Sequence, residues 1–215
     1  MSIGKFVTSF SLEFSKKMLE DLNFESNYCA STVSVYFALL MINIGTKGKS
    51  SSELASLLGL DYSKLLEKSL KRGNSKKLRE DVLDVFKICA KSSELNNKIF
   101  SAFEFNQNYI NILKDLFEME LEHISFQDQE TATQIINSWV SDKTHGRITE
   151  VIEKSGIGAD VSFILINTIY FKSSWDEKFD PSLTIEREFF INSDISVRLP
   201  MMHQTTTESI FVNTT

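Results

Sequence analysis

Cysteine, proline and glycine are scarce in this chain of 215 residues, which holds 2, 2 and 8 of them. The two thiols, Cys29 and Cys89, are too few for a disulfide framework, and neither has a C-x-x-C partner or a metal-ligand spacing around it. Both read as buried free thiols. So little proline and glycine excludes collagen-like and low-complexity architectures, and no repeat recurs at a fixed period. Long regular elements are expected instead. Positive charge is also short, with 23 Lys and Arg against 29 Asp and Glu and a net charge of −6. Neutralising phosphates takes a basic face, so this balance argues against nucleic-acid binding. Long hydrophobic runs are missing too. Residues 33–44 and 163–171 are too short or too interrupted by polar side chains to span a bilayer, and residues 1–10 lack the apolar run and small-residue cleavage site of a secretory leader. The expectation is a cytoplasmic protein without membrane contact, with extracellular location by unconventional export as the alternative.

What the chain does have is core material: 42% of its residues are hydrophobic and 17 are phenylalanine. Phe6, Phe10, Phe14, Met18 and Leu22 recur every four residues and predict a helix packed by one stripe. Residues 31–44 are apolar on nearly every face and predict a buried helix, ended by Gly45 through its freedom to take positive φ. Ser50 and Glu53 have the spacing of a capping box ahead of Leu54, Leu57, Leu58 and Gly59, which predicts a third helix. Leu78, Val82, Val85, Phe86 and Cys89 mark a fourth helix, and Tyr109, Leu113, Leu116 and Phe117 a fifth, with a strand at 99–103 between them. Leu121, Ile124 and Phe126 suggest another strand, and Ala132, Ile135, Ile136, Trp139 and Val140 a further helix. The run 163–171 reads as a strand covered on both sides, and Val197, Leu199 and Met201 alternate in a later one. This order gives a mixed α and β chain with a sheet at its centre.

Catalytic and cofactor motifs fail one by one. Gly45-Thr46-Lys47-Gly48-Lys49-Ser50 contains Gly-Lys-Ser, but Asn43 stands where a phosphate loop needs its first glycine, and a helix precedes it where a strand is required. Gly156 and Gly158 begin a G-x-G-x-x-G pattern whose third glycine is Val161. No nucleophile elbow or H-E-x-x-H helix occurs, and His123, His145 and His203 are scattered. No enzyme activity, cofactor or metal is expected. The one reversal of the acidic balance is the cluster Lys68, Lys71, Arg72, Lys76, Lys77 and Arg79, which reads either as a solvated helix approach or as a seat for a polyanion such as a glycosaminoglycan.

Four segments, in order, resemble the serpin family of protease inhibitors. Ser31-Thr32-Val33-Ser34-Val35, followed by Gly45-Thr46-Lys47-Gly48-Lys49-Ser50 and Glu53-Leu54, looks like the family's second helix and the turn into its third. Ile136-Asn137-Ser138-Trp139-Val140-Ser141 and Thr144-His145-Gly146-Arg147-Ile148 are similar to its N-x-W-[VI] helix and T-x-G-[KR]-I turn. The strongest match is Ile166-Asn167-Thr168-Ile169-Tyr170-Phe171-Lys172-Ser173-Ser174-Trp175, against V-N-A-I-Y-F-K-G-x-W, and Thr184, Phe189 and Met201-Met202 continue the pattern. Thr32 replaces the usual proline and Ser173 the usual glycine; threonine still caps a helix and serine still occupies a turn.

The resemblance implies an α+β serpin fold, many helices around a central sheet. Residues 1–215 would be the N-terminal part of a single such domain, without the C-terminal strands and the reactive-centre loop. The implied function is inhibition of a serine or cysteine protease. The target cleaves the exposed loop, which inserts into the central sheet while still acylated to the enzyme. Without that loop the chain as given is expected to be inactive. Ser31 and Ser34 match the family's shutter serines and Asn167 its shutter asparagine, with the two serines as the expected partners of the Asn167 amide. The two serines also read as helix caps. Trp175 matches the tryptophan at the breach, where the loop first enters, and also reads as ordinary aromatic packing. Trp139, on the helix that lies across the sheet, is expected to face the core. The alternative reading is a non-inhibitory binding or chaperone-like protein on the same fold.

Overall fold

The computed structural model describes residues 3–21, 28–66, 74–153, 156–158 and 160–205. Helix α1 (Ile3–Asp21) is followed by α2 (Thr32–Gly45), α3 (Gly48–Leu58), a 3-10 turn (Ser63–Leu66) and α4 (Asn74–Ala90). Strand β1 (Glu94–Ser101), α5 (Gln107–Phe117), β2 (Glu120–His123), α6 (Gln129–Lys143) and β3 (Phe163–Tyr170) complete the first of two compact units, residues 1–171. The second unit, residues 172–215, holds a 3-10 turn (Pro181–Leu183) and the antiparallel hairpin β4 (Ile185–Phe190) and β5 (Ser196–Met201).

The sheet of the first unit has the order β2-β1-β3, with β2 parallel and β3 antiparallel to β1. Both of its faces are covered. Leu95, Ile99 and Leu165 pack with α2 and α5 in the main core, around Tyr36, Phe37, Leu40, Met41, Leu113 and Phe117. Phe100 and Ile166 point the other way and join Ala132, Ile136, Trp139 and Val140 of α6 in a second cluster. Alternation along each strand explains the division, since successive side chains leave a strand on opposite faces.

Several expectations change on the way from pattern to packing. The buried line of α1 is Ile3, Val7 and Phe10, with Phe6 and Phe14 packed at its edge. A strict spacing of four walks about 40° around the helix at each step, so the Phe6 to Met18 row drifts off the core; Leu22, its last member, lies outside the described residues. Gly45 does not end α2 by a positive φ: it is the last helical residue, and Thr46 follows in extended conformation. The glycine is needed for space, because a Cβ there would stand 2.9 Å from Cε2 of Tyr109. The capping box at Ser50 and Glu53 does not form. Helix α3 begins two residues earlier with Lys47 as its N-cap, and Glu53 pairs with Lys49 one turn away. Gly59 does close α3 at φ 75°. Strand β1 starts at Glu94, earlier than 99–103, since two asparagines and a lysine hide its beginning from a hydrophobicity reading. Strand β3 is covered on both faces as read, by Leu165 in the main core and Ile164 and Ile166 in the second cluster, while among the described residues it pairs with β1 alone and Phe163 and Ile169 are exposed. Cys29 is exposed and Cys89 half-buried, so the two thiols are not both core residues.

Candidate functional site

The polar centre of the first unit lies where β3 crosses β1. Asn97 and Asn167 face each other in the antiparallel register, on the face that carries Leu95, Ile99 and Leu165. Asn167 donates from Nδ2 to Asn97 Oδ1 at 2.6 Å. Asn97 is 1% exposed and donates in turn to the carbonyl of Phe117, the last residue of α5, at 2.8 Å. The chain of bonds therefore ties β3 to β1 and β1 to the end of α5. A buried carboxamide without partners is unfavourable by a few kcal/mol, so this relay accounts for how two asparagines sit inside an apolar sheet.

The partner of Asn167 corrects the sequence expectation. The Asn167 amide does not reach the serines at the head of α2; it bonds to the residue directly opposite on the neighbouring strand. Ser31 is the N-cap of α2, and its Oγ accepts the amide of Ser34 at 3.3 Å. Ser34 is buried on the first turn of the same helix, which lies against β3. Asn97 was not singled out from the sequence. Its signal was the period of two it shares with Leu95, Ile99 and Ser101, masked by the polar pair Asn96-Asn97.

A second buried asparagine knits the helices beneath. Asn43, fully buried on α2, donates to the Ser51 carbonyl at 3.1 Å and accepts the Tyr62 amide at 2.8 Å. Tyr36 donates its hydroxyl to the Leu58 carbonyl at 3.0 Å and shares a 2.6 Å contact with the Tyr62 hydroxyl. Burial pushes the Tyr36 phenol up to about 12. An open groove of about 920 Å³ runs from Gly45 and Thr46 past Tyr109 and Phe105 to Phe163 and Leu165 of β3. Among the described residues, no carboxylate lines it.

The remaining sequence candidates are dispersed. Trp139 faces the core as expected, packed edge-on against Phe100 with ring centres 6.1 Å apart. Trp175, in the second unit, is exposed and packs edge-on against Phe179 at 5.7 Å. Of the basic cluster, Lys68, Lys71 and Arg72 lie outside the described residues. Lys76, Lys77 and Arg79 sit on α4, where each pairs with a carboxylate: Glu80 at 3.7 Å, Asp81 at 3.3 Å and Asp115 at 2.7 Å. His123 and His145 lie at the surface beside Glu104 and Glu94. The Gly45 to Ser50 segment is a helix-to-helix turn, which agrees with its failure as a phosphate loop.

One family profile, described as serpin (serine protease inhibitor), matches residues 6–214. The chain belongs to the serpin family. Serine protease inhibitor 42Dd of Drosophila melanogaster is 32% identical over 209 residues, which cover 95% of this chain and 55% of that protein. Leukocyte elastase inhibitor of Xenopus laevis is 30% identical over 92% of this serpin and 51% of its own length, and human corticosteroid-binding globulin is 30% identical over 90% and 47%. Emu ovalbumin superimposes with a TM-score of 0.81 at 24% identity, over 95% of this chain and 55% of its own. Cleaved kallistatin complexed with heparin gives 0.77 at 23%, over 92% and 57%. The α+β serpin architecture is thereby established, and the chain spans about half the length of the curated relatives it matches.

Proposed function

We propose that residues 1–215 form the N-terminal part of a serpin that inhibits a serine or cysteine protease by inserting its cleaved reactive-centre loop beside β3. The observation that carries this reading is the edge of β3. Among the described residues it pairs with β1 alone, and in this reading its other edge faces the C-terminal strands and parts from them to admit the loop. The Asn167–Asn97–Phe117 relay lies on the β1 side of β3 and holds that strand in register while its other edge parts. In this reading Asn167 belongs to the shutter with Ser31 and Ser34 at the head of α2, Asn97 joins them, and Trp175 marks the breach. The names of the Drosophila and Xenopus relatives support the inhibitory side. The name of corticosteroid-binding globulin supports the second reading, a non-inhibitory binding or chaperone-like protein on the same fold. The structures of kallistatin and of protease nexin-1 with heparin keep the polyanion reading of the basic segment alive, although its described members already have carboxylate partners.

The test uses residues 1–215 joined to a C-terminal part that carries the loop. Incubated with trypsin-, chymotrypsin-, elastase- and papain-like proteases, the joined protein gives with at least one of them a covalent complex that survives denaturing electrophoresis. Cleavage of the loop without a complex rejects inhibition and leaves the binding or chaperone-like reading. Residues 1–215 alone trap no protease, and stoichiometric trapping by them would show that the bait had been placed in the wrong half.

A further inference from the structure

The second cluster, between α6 and the sheet, is apolar at its middle and ionic at one end. Ile136 and Val140 are buried against Phe100, Phe126, Ile157 and Ile166. At the C-terminal end of α6 the contact becomes ionic and centres on Glu120, while just past the helix His145 Nε2 lies 3.0 Å from Glu94 Oε2 of β1. Glu120, the first residue of β2, accepts the Trp139 indole N–H at Oε2 over 3.2 Å, and its Oε1 lies 3.1 Å from Lys143 Nζ. Trp139 and Lys143 stand one turn apart on α6, so both reach the same group. From β1, Lys98 Nζ approaches Glu120 Oε2 at 3.5 Å. Lys98 is the parallel-register partner of Glu120, its side chain is 11% exposed, and it lies 2.7 Å from Glu122 Oε2. Its ammonium also sits 5.0 Å from the centre of the Phe100 ring and 5.6 Å from that of Trp139.

We propose that Glu120 is a latch: one carboxylate that fastens the C-terminal end of α6 to the β1–β2 side of the sheet, and whose release lets that end lift while the apolar middle stays packed. The division of labour between the two glutamates is what makes Glu120 a latch and not a general brace. Glu122 lies closer to Lys98 and bonds to no described residue of α6, whereas Glu120 is the carboxylate that both α6 groups reach. Without Glu120, Lys98 therefore keeps a counter-ion, and no buried charge is left uncompensated. The electrostatics agree. Partial burial opposes ionisation of Glu120, but hydrogen bonds from Lys143 and Trp139 and the charges of Lys143 and Lys98 outweigh it and hold the carboxyl below its usual range. The latch stands whether or not a loop inserts, so it does not rest on the inhibitory reading.

The experiment measures amide exchange and the Trp139 indole N–H resonance in residues 1–215, with Trp175→Phe leaving a single tryptophan. Glu120→Gln is expected to shift the indole resonance and speed exchange in the last turn of α6 by roughly tenfold, with α2 and α5 unchanged. Lys143→Gln, which acts from the other end of the latch, gives the same local opening. Glu122→Gln leaves α6 as it was. The proposal is overturned if Glu120→Gln leaves the indole and α6 unchanged, if Glu122→Gln opens α6 equally, or if exchange rises alike in every helix.

Discussion

Asn167 and Asn97 differ in what each holds. The Asn167 amide bonds to Asn97, while Asn97 makes that bond and a second one to Phe117. Asn167→Ala is expected to lower stability by about 1–3 kcal/mol, and Asn97→Ala by more, because it strands both the half-buried Asn167 amide and the last carbonyl of α5. Urea unfolding of the two variants decides the matter: an Asn97→Ala loss no larger than that of Asn167→Ala would remove the relay. Reading residues alone found Asn167, since one polar side chain in an apolar run is conspicuous. It chose the wrong partner because facing across strands follows from register, and register follows from pairing that no short motif encodes.

At the scale of elements, the junction of α2, α3 and the 3-10 turn rests on three buried phenols. Tyr36 and Tyr109 are both pushed up to about 12 by burial, and Tyr62 is raised further by burial and the neighbouring Tyr36 oxygen. An unfolded tyrosine ionises near 10, so between about pH 10 and 12 the unfolded chain has shed protons that the folded chain still keeps. Folding stability from these groups is complete below about pH 10 and falls as pH rises toward 12. Thermal midpoints should be level up to about pH 10 and then drop, and a midpoint as high at about pH 11.5 as at about pH 8 would contradict the assignment. The helices themselves were legible: α4, α5 and α6 carry their apolar positions at the spacings read from the chain. Their capping was less so. At α3 the turn geometry of Gly48, with φ 63°, sets the start ahead of the serine that the spacing favoured.

For residues 1–215 taken by themselves, β3 pairs with β1 alone among the described residues, and the consequence is association. Ile169, paired with Leu95 on one side, is 38% exposed, and Phe171 beyond the strand is 67% exposed. An apolar edge with unpaired backbone groups is a template for another chain. Residues 1–215 are expected to self-associate as concentration rises, and Ile169→Lys to suppress this, as read by light scattering; equal scattering from both proteins would argue against pairing through β3. The family could be read from four ordered segments because those segments pin turns, caps and polar core positions whose chemistry is local. Fold class and helix positions likewise followed from composition and period, since burial of one face imposes 3.6 or 2 on any chain that forms these elements. Tertiary structure alone decided that Asn97 holds Asn167, that Gly45 makes room for Tyr109, and that Glu120 joins α6 to the sheet. Each of those joins residues distant in sequence, and only the packing of whole elements brings such residues within reach of one another.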